Sequence, residues 1–278
     1  GANLTGANLA GATLYGANLY NALLYNADLT DAILRDAYLT GADLTGADLT
    51  DAMLRDANLA NADLTGAILT NAYMTGADLI HADLYYAYLA DANLTGAYLT
   101  AADLSYANLT EANMGITLLT NANLTDANLT GASMAWANLA GATLTDANLY
   151  NAFLEQTDLT DADLTGANLT GTYLHSSNLT GATYNDATIF PDGINPEKLG
   201  MIYDDTADVT EGACCVTSGC DVVEETMCTN FGGTWTESGD CDDCVAPPPE
   251  TCDADLDNNG EVNIDDLLLL IGAWGVCP

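Results

Sequence analysis

The chain has 278 residues, with 40 Asp and Glu against 3 Lys and Arg, and a formal charge of −37. Such a balance excludes direct binding to nucleic acid or to an anionic membrane, because both rest on Lys and Arg contacts. The longest apolar stretch, Leu267 to Trp274, falls well short of the roughly 18 apolar residues that span a bilayer, so no transmembrane helix is expected.

From Gly1 to Phe190 the sequence divides into 38 consecutive pentads with no insertion or deletion. The fourth position is Leu in 33 of them, and the five exceptions (Met74, Met114, Met134, Tyr184 and Ile189) are apolar. The second position is Ala except at Thr117, Thr157, Thr172 and Ser177, which are still small. Neither a helix nor a flat strand repeats every five residues. Residues two apart on extended chain point the same way, so Ala and Leu share one face, and the other three residues must turn the chain. Gly, Asn and Asp at the turning position suit tight or left-handed backbone. An amphipathic helical repeat is the rival reading, but Gly or Asn every five residues would break such helices. The expectation is a narrow, filled coil with no pore. The chain opens at Gly1 already in phase with the repeat and without an initiator Met, which suggests a processed or trimmed product.

The words GANLT, GADLT and DANLT match the A(N/D)LXX pattern, and the first 190 residues resemble the pentapeptide-repeat family. That resemblance implies an all-β fold: a right-handed quadrilateral β-helix with four pentads per coil. At about 4.8 Å per coil, 190 residues would form a rod about 46 Å long. Residues twenty apart would then stack in columns. Tyr15, Arg35 and Arg55 would share one column, with Asp36 and Asp56 beside the two Arg. Tyr86 would lie over Tyr106, and Ile116 over Trp136. These short patches read either as a ligand groove or as cross-strand pairs that stabilise a sheet face.

Catalysis is not expected of an array without loops. His81 and His175 are isolated, and Ser105, Ser133, Ser176 and Ser177 lack a nucleophile-elbow context. Thr fills the fifth position in 19 of 38 pentads, with partial ladders such as Thr45–Thr65 and Thr125–Thr145–Thr165. Such ladders invite ice binding or O-glycans, but Tyr25, Tyr85 and Ser105 interrupt them. Asn3, Asn93, Asn108, Asn123, Asn128, Asn168 and Asn178 read as N-glycosylation sequons, a spelling the repeat itself imposes. One branch of the family mimics DNA and inhibits a type II topoisomerase. The rod carries 20 Asp and Glu against Arg35 and Arg55, whereas duplex DNA of that length would carry about 27 charges. The alternative is kept, although an unbroken array offers no protruding loop.

After Phe190 a Pro/Gly cluster (Pro191, Gly193, Pro196) stops the repeat. Residues 191–213 are read as a cover or linker, because the backbone edge of the last coil needs one. Residues 214–246 hold Cys214, Cys215, Cys220, Cys228, Cys241 and Cys244. That density reads as a disulfide module of an oxidising compartment, with zinc at the Cys241–Cys244 CxxC as the competing reading. The stretch resembles small Cys modules of secreted planctomycete proteins. A Pro-rich linker, 247–251, follows. In 252–278, Asp255, Asp257, Asn259, Glu261, Asn263 and Asp266 fall at calcium-loop spacing, with Gly260 at the sharp turn. This segment looks like a dockerin, whose DxDxNGxxNxxD loop and apolar helix it matches, although only one loop–helix repeat is present where a dockerin carries two. Cys252 and Cys277 bracket the unit and are expected to pair, which would contribute roughly 3 kcal/mol. The expected cofactor is Ca2+.

The sequence therefore predicts a secreted or cell-surface structural protein and no enzyme. Its expected partner is either itself, rods stacking head to tail into a filament, or an extracellular protein held by a monomeric spacer.

Overall fold

The computed structural model describes residues 1–204 and the strand segments 212–216, 219–223 and 234–236. The chain divides into two units, Gly1–Asp204 and Asp205–Pro278.

In the first unit the pentad is also the unit of geometry. Every first position from Gly6 to Gly181 has φ between 49° and 75°. This left-handed residue turns the corner, and the Ala after it donates its N–H to the Leu carbonyl three residues back, as in Ala47 to Leu44 at 2.9 Å. A four-residue turn with positive φ at its third residue has the character of a type II turn. Between corners the chain is extended, so the second and fourth side chains point inward and the third points out. Four corners complete a coil, and the third positions pair in parallel at a spacing of twenty, from Asn3 with Leu23 through to Asp163 with Thr183.

Three backbone bonds per pentad join successive coils. Around one pentad, Asp43 donates to Ala22 at 2.9 Å, Leu44 to Asp63 at 2.7 Å and Gly46 to Thr65 at 2.9 Å. The fifth-position N–H has no place in this ladder. Where the third residue is Asn or Asp, its Oδ1 accepts that N–H, as Asp43 does from Thr45 at 3.1 Å and Asp63 from Thr65 at 3.0 Å. The preference for Asn and Asp at the third position thus has a physical cause: the side chain satisfies a donor that would otherwise depend on water.

The interior is filled by alternating Ala and Leu, nearly all inaccessible to solvent from Ala22 to Leu169. Met74, Met114 and Met134 take Leu places without opening the core. Each buried Leu contributes about 2 kcal/mol. Where a hydroxyl replaces Ala, it is matched: Thr117 donates to the Met114 carbonyl at 2.5 Å and Thr157 to the Met134 carbonyl at 2.8 Å.

The expected gapless run to Phe190 is corrected in the last coil. The bridge after Asp163–Thr183 is Asn168–Ile189, twenty-one residues apart. Asn185 is an extra residue, and the turn falls one position late. Thr188, not Ala187, takes the small inward place, and its hydroxyl donates to the Leu164 carbonyl at 2.9 Å. Phe190, not Ile189, packs against the core, while Ile189 is 54% exposed. The backbone stays satisfied because Asn185 Oδ1 accepts the Gly166 N–H at 3.0 Å.

Beyond this coil the chain crosses its end. A 3-10 turn at Glu197–Leu199 closes at Gly200 (φ 76°). Strand β1 (Thr183–Tyr184) pairs in parallel with β2 (Ile202–Tyr203). Ile202 donates to the Ala182 carbonyl at 2.8 Å and Asp204 to that of Tyr184 at 2.7 Å. Met201 is 7% exposed, and the Tyr184 ring meets Phe190 at 5.5 Å and Tyr203 at 5.4 Å, both edge-on.

In the second unit, β3 (Gly212–Val216), β4 (Gly219–Val223) and β5 (Thr234–Thr236) form an antiparallel sheet in the order β4-β3-β5. Cys215 stands opposite Cys220, and Cys214 opposite Trp235.

Candidate interaction surface

Because the second and fourth side chains from Ala22 to Leu169 are consumed by the core, functional groups there can project only from third positions, fifth positions and corners. On one side of the coil, Asp43, Asp63, Asp83 and Asp103 are successive bridge partners, a column of four carboxylates one coil apart. Their Oδ1 atoms serve the local N–H groups; Asp83 accepts from Tyr85 at 3.0 Å. Asp103 is the most heavily bonded, accepting from the Ser105 hydroxyl at 2.6 Å and from Asn123 Nδ2 at 3.0 Å. Asp28 accepts both the Thr30 hydroxyl, at 2.6 Å, and its N–H, at 3.1 Å. These bonds, the hydroxyl first, hold its carboxyl below the usual carboxylate value.

Many fifth-position threonines turn back in the same way. Thr50, Thr95, Thr110, Thr130 and Thr160 each donate their hydroxyl to the Asn or Asp two residues earlier. Such hydroxyls are committed to the rod, which weakens the case for a free threonine array. Arg55 Nε bonds Asp56 Oδ2 at 3.1 Å on the exposed surface, a pairing that contributes less than about 1 kcal/mol.

The aromatic residues depart from this pattern. Most corners carry Gly, Asn or Asp, but Tyr86, Tyr106, Ile116 and Trp136 also sit at left-handed φ of 56°, 59°, 51° and 63°. For residues with a Cβ that backbone costs roughly 1–2 kcal/mol each. Tyr86 and Tyr106 stack with centroids 4.9 Å apart and planes 19° apart. Tyr85 stands edge-on to both, at 4.4 and 5.7 Å, and Ser105 is only 5% exposed. The stack expected from the twenty-residue spacing is present. The third ring was missed, although its place next to Tyr86 in sequence was a usable signal. Partial burial, then the neighbouring Tyr86 and Asp103, push the Tyr85 phenol up. Asp126, one coil beyond Tyr106, accepts its hydroxyl and pushes it up in turn. Phe153 and Tyr173 form a separate stack at 5.0 Å, while Ile116 and Trp136, at successive corners of one column, are each exposed.

Among the described residues no group of three or more His, Cys, Asp or Glu is arranged to hold a metal ion. No helix among them is long and apolar enough to cross a membrane. Of the other expected site residues, Cys214 and Cys215 lie on β3 and Cys220 on β4. The calcium-loop residues Asp255, Asp257, Asn259, Glu261, Asn263 and Asp266 lie outside the described residues, as do Cys228, Cys241, Cys244, Cys252 and Cys277.

A four-cornered coil with a solid Ala/Leu interior and all its chemistry on the outside is a β-solenoid of the structural or interaction kind. Residues 1–31, 32–71, 57–96, 77–115, 117–156 and 144–181 match the Pentapeptide repeats family, in eight copies, and the chain belongs to that family. Pentapeptide repeats fold as a right-handed quadrilateral β-helix. Among solved structures, the chain is similar to HetL, a pentapeptide repeat protein involved in heterocyst differentiation regulation from the cyanobacterium Nostoc sp. strain PCC 7120. The identity is 36% over 69% of this chain and 86% of HetL, with a TM-score of 0.38. Rfr23 from the cyanobacterium Cyanothece 51142 is 40% identical over 34% of this chain and 63% of its own length, with a TM-score of 0.33. Full-length QnrB1, a plasmid-mediated fluoroquinolone resistance protein, is 16% identical over 74% of this chain and 94% of its own, with a TM-score of 0.44. No curated protein matches the chain.

Proposed function

We propose that the protein is a non-catalytic extracellular or cell-surface scaffold: a rigid acidic rod that holds basic partners on its sides. The observation that carries this reading is the continuous i to i+20 pairing from Asn3 to Thr183, which leaves no loop on which to build a reaction centre and turns every carboxylate of the rod outward. The Cys-rich composition after residue 213 supports an oxidising compartment. A head-to-tail filament needs free strand edges at both ends of the rod. Ile202 and Asp204 already occupy the bonding positions beside Ala182 and Tyr184, so side-on binding is favoured over end-on stacking.

The test is titration of the full chain with hexa-lysine. Binding is expected at about 0.01 M salt and is expected to vanish near 1 M, where the screening length shrinks from about 30 Å to about 3 Å. Failure to bind at low salt would end this reading.

Residues 252–278 are proposed to add a calcium-dependent docking unit held by Asp255, Asp257, Asn259, Asn263 and Asp266, with Glu261 offering its carbonyl. Calorimetry of the full chain should find one calcium site of about 10⁻⁴–10⁻³ M, lost in Asp255→Ala. An unchanged site in that variant would reject the assignment.

A further inference from the structure

Resting on the scaffold reading above, we propose that the corner formed by Tyr85, Tyr86 and Tyr106 is the docking point for an arginine side chain of a basic partner protein. Tyr106 covers one face of the Tyr86 ring. On the other side of Tyr86, the preceding corner of the same column is Gly66. A Cβ placed there would meet no atom within 4 Å. The corner before that is Gly46, so the column opens into a step beside an aromatic wall. Tyr86 and Tyr106 are 49% and 43% exposed.

The aromatic corner lies beside a column of carboxylates. Asp63 and Asp83 sit three residues before Gly66 and Tyr86, and Asp126 follows Tyr106 in the column. Asp103 lies one coil beyond Asp83 in the same column of carboxylates. An aromatic face beside carboxylates attracts a cation through the ring quadrupole and through charge together. Of the two cationic side chains, arginine fits better. Its planar guanidinium stacks on a ring and presents a fork of donors to a carboxylate, whereas the lysine ammonium is a compact, strongly hydrated point charge. A second copy of this chain is a poor occupant at a charge of −37. The backbone points the same way: aromatic residues are held at left-handed corners in two successive coils, where Asn or Gly would sit without strain, and strain of this kind concentrates at binding sites.

The test uses the full chain with hexa-arginine and hexa-lysine as probes. Tyr86→Asn and Tyr106→Asn are the informative variants, since Asn tolerates the left-handed corner and leaves the net charge unchanged. Each should weaken hexa-arginine about three- to five-fold, the size of an exposed cation–π contact, and should weaken hexa-lysine less. Trp136→Asn, on a different corner column, is the control and should change neither. Far-UV circular dichroism checks that each variant keeps its fold. Hexa-arginine affinity unchanged in both Tyr variants, or an equal loss in Trp136→Asn, would overturn the docking point while leaving the acidic scaffold intact. No binding of either peptide to the unaltered chain would overturn both.

Discussion

The coils between Ala22 and Leu169 and the coil that ends at Phe190 obey the same physics with different residue counts. In the first region each corner follows the last by five residues, and the inward places are filled by Ala and Leu apart from three Met in Leu places and the hydroxyls of Thr117 and Thr157 in Ala places. In the second, Asn185 intrudes, yet both inward places are still filled, by Thr188 and Phe190, and the Gly166 N–H still finds an oxygen. The fold keeps its two filled places per pentad and its satisfied backbone; it does not keep the number five. Ile189 falls at the Leu place by count and loses it, because Phe190 buries a larger side chain beside Tyr184 at the covered end. The body has neighbours on both sides to enforce register. The last coil has a neighbouring coil on one side and the 197–204 segment on the other.

That contrast can be attacked most strongly through the core. Leu104→Ala, in the middle of the rod, should lower the free energy of unfolding by about 3 kcal/mol. Phe190→Ala should cost about 1 kcal/mol, since its place is only partly buried. Urea unfolding followed by circular dichroism measures both, and equal losses would mean that the last coil is as integral as the body. A smaller effect of opposite sign is expected at a strained corner of the body, where Trp136→Asn should raise stability by about 1 kcal/mol. A loss there would show that the exposed indole contributes more than its backbone costs. Hydroxyls in Ala places should give a similar magnitude: Thr117→Val should cost about 1 kcal/mol, and Thr188→Val less, because the slipped coil can readjust.

The smallest expected effect is a titration. Asp28, bonded twice by Thr30, should titrate below its ordinary value of 3.8. A carboxyl whose folded value is depressed stabilises the fold above its unfolded value, and that contribution disappears as pH falls through the folded value. Carboxyl NMR in the full chain and in Thr30→Val should show the Asp28 value rising in the variant. An unmoved value would assign the shift to something other than the Thr30 hydroxyl.

Much of the rod was legible because its rules are local. Ala at the second position, Leu at the fourth and Gly, Asn or Asp at the corner specify an extended step and a left-handed turn, and the side chains reporting this recur every five residues. The Tyr86–Tyr106 stack followed from the five-residue spacing together with the four pentads per coil that the family resemblance implies. The bond from Asp43 or Asp63 to the N–H two residues on was also within reach of the sequence, but the repeat spells Asn and Asp so often that their role is hidden in the composition.

Sequence alone, then, determined that this chain winds into a solid solenoid, since two buried side chains per five residues leave no other way to bury the core. Tertiary structure decided what repetition could not: which of Ile189 and Phe190 turns inward, that Met201 and β2 lie against the last coil, and that Tyr85 stands edge-on to the Tyr86–Tyr106 stack to make one corner different from the rest. Those outcomes depend on packing between coils twenty residues apart, where volume and free hydrogen-bonding groups compete, and no local pattern encodes the winner.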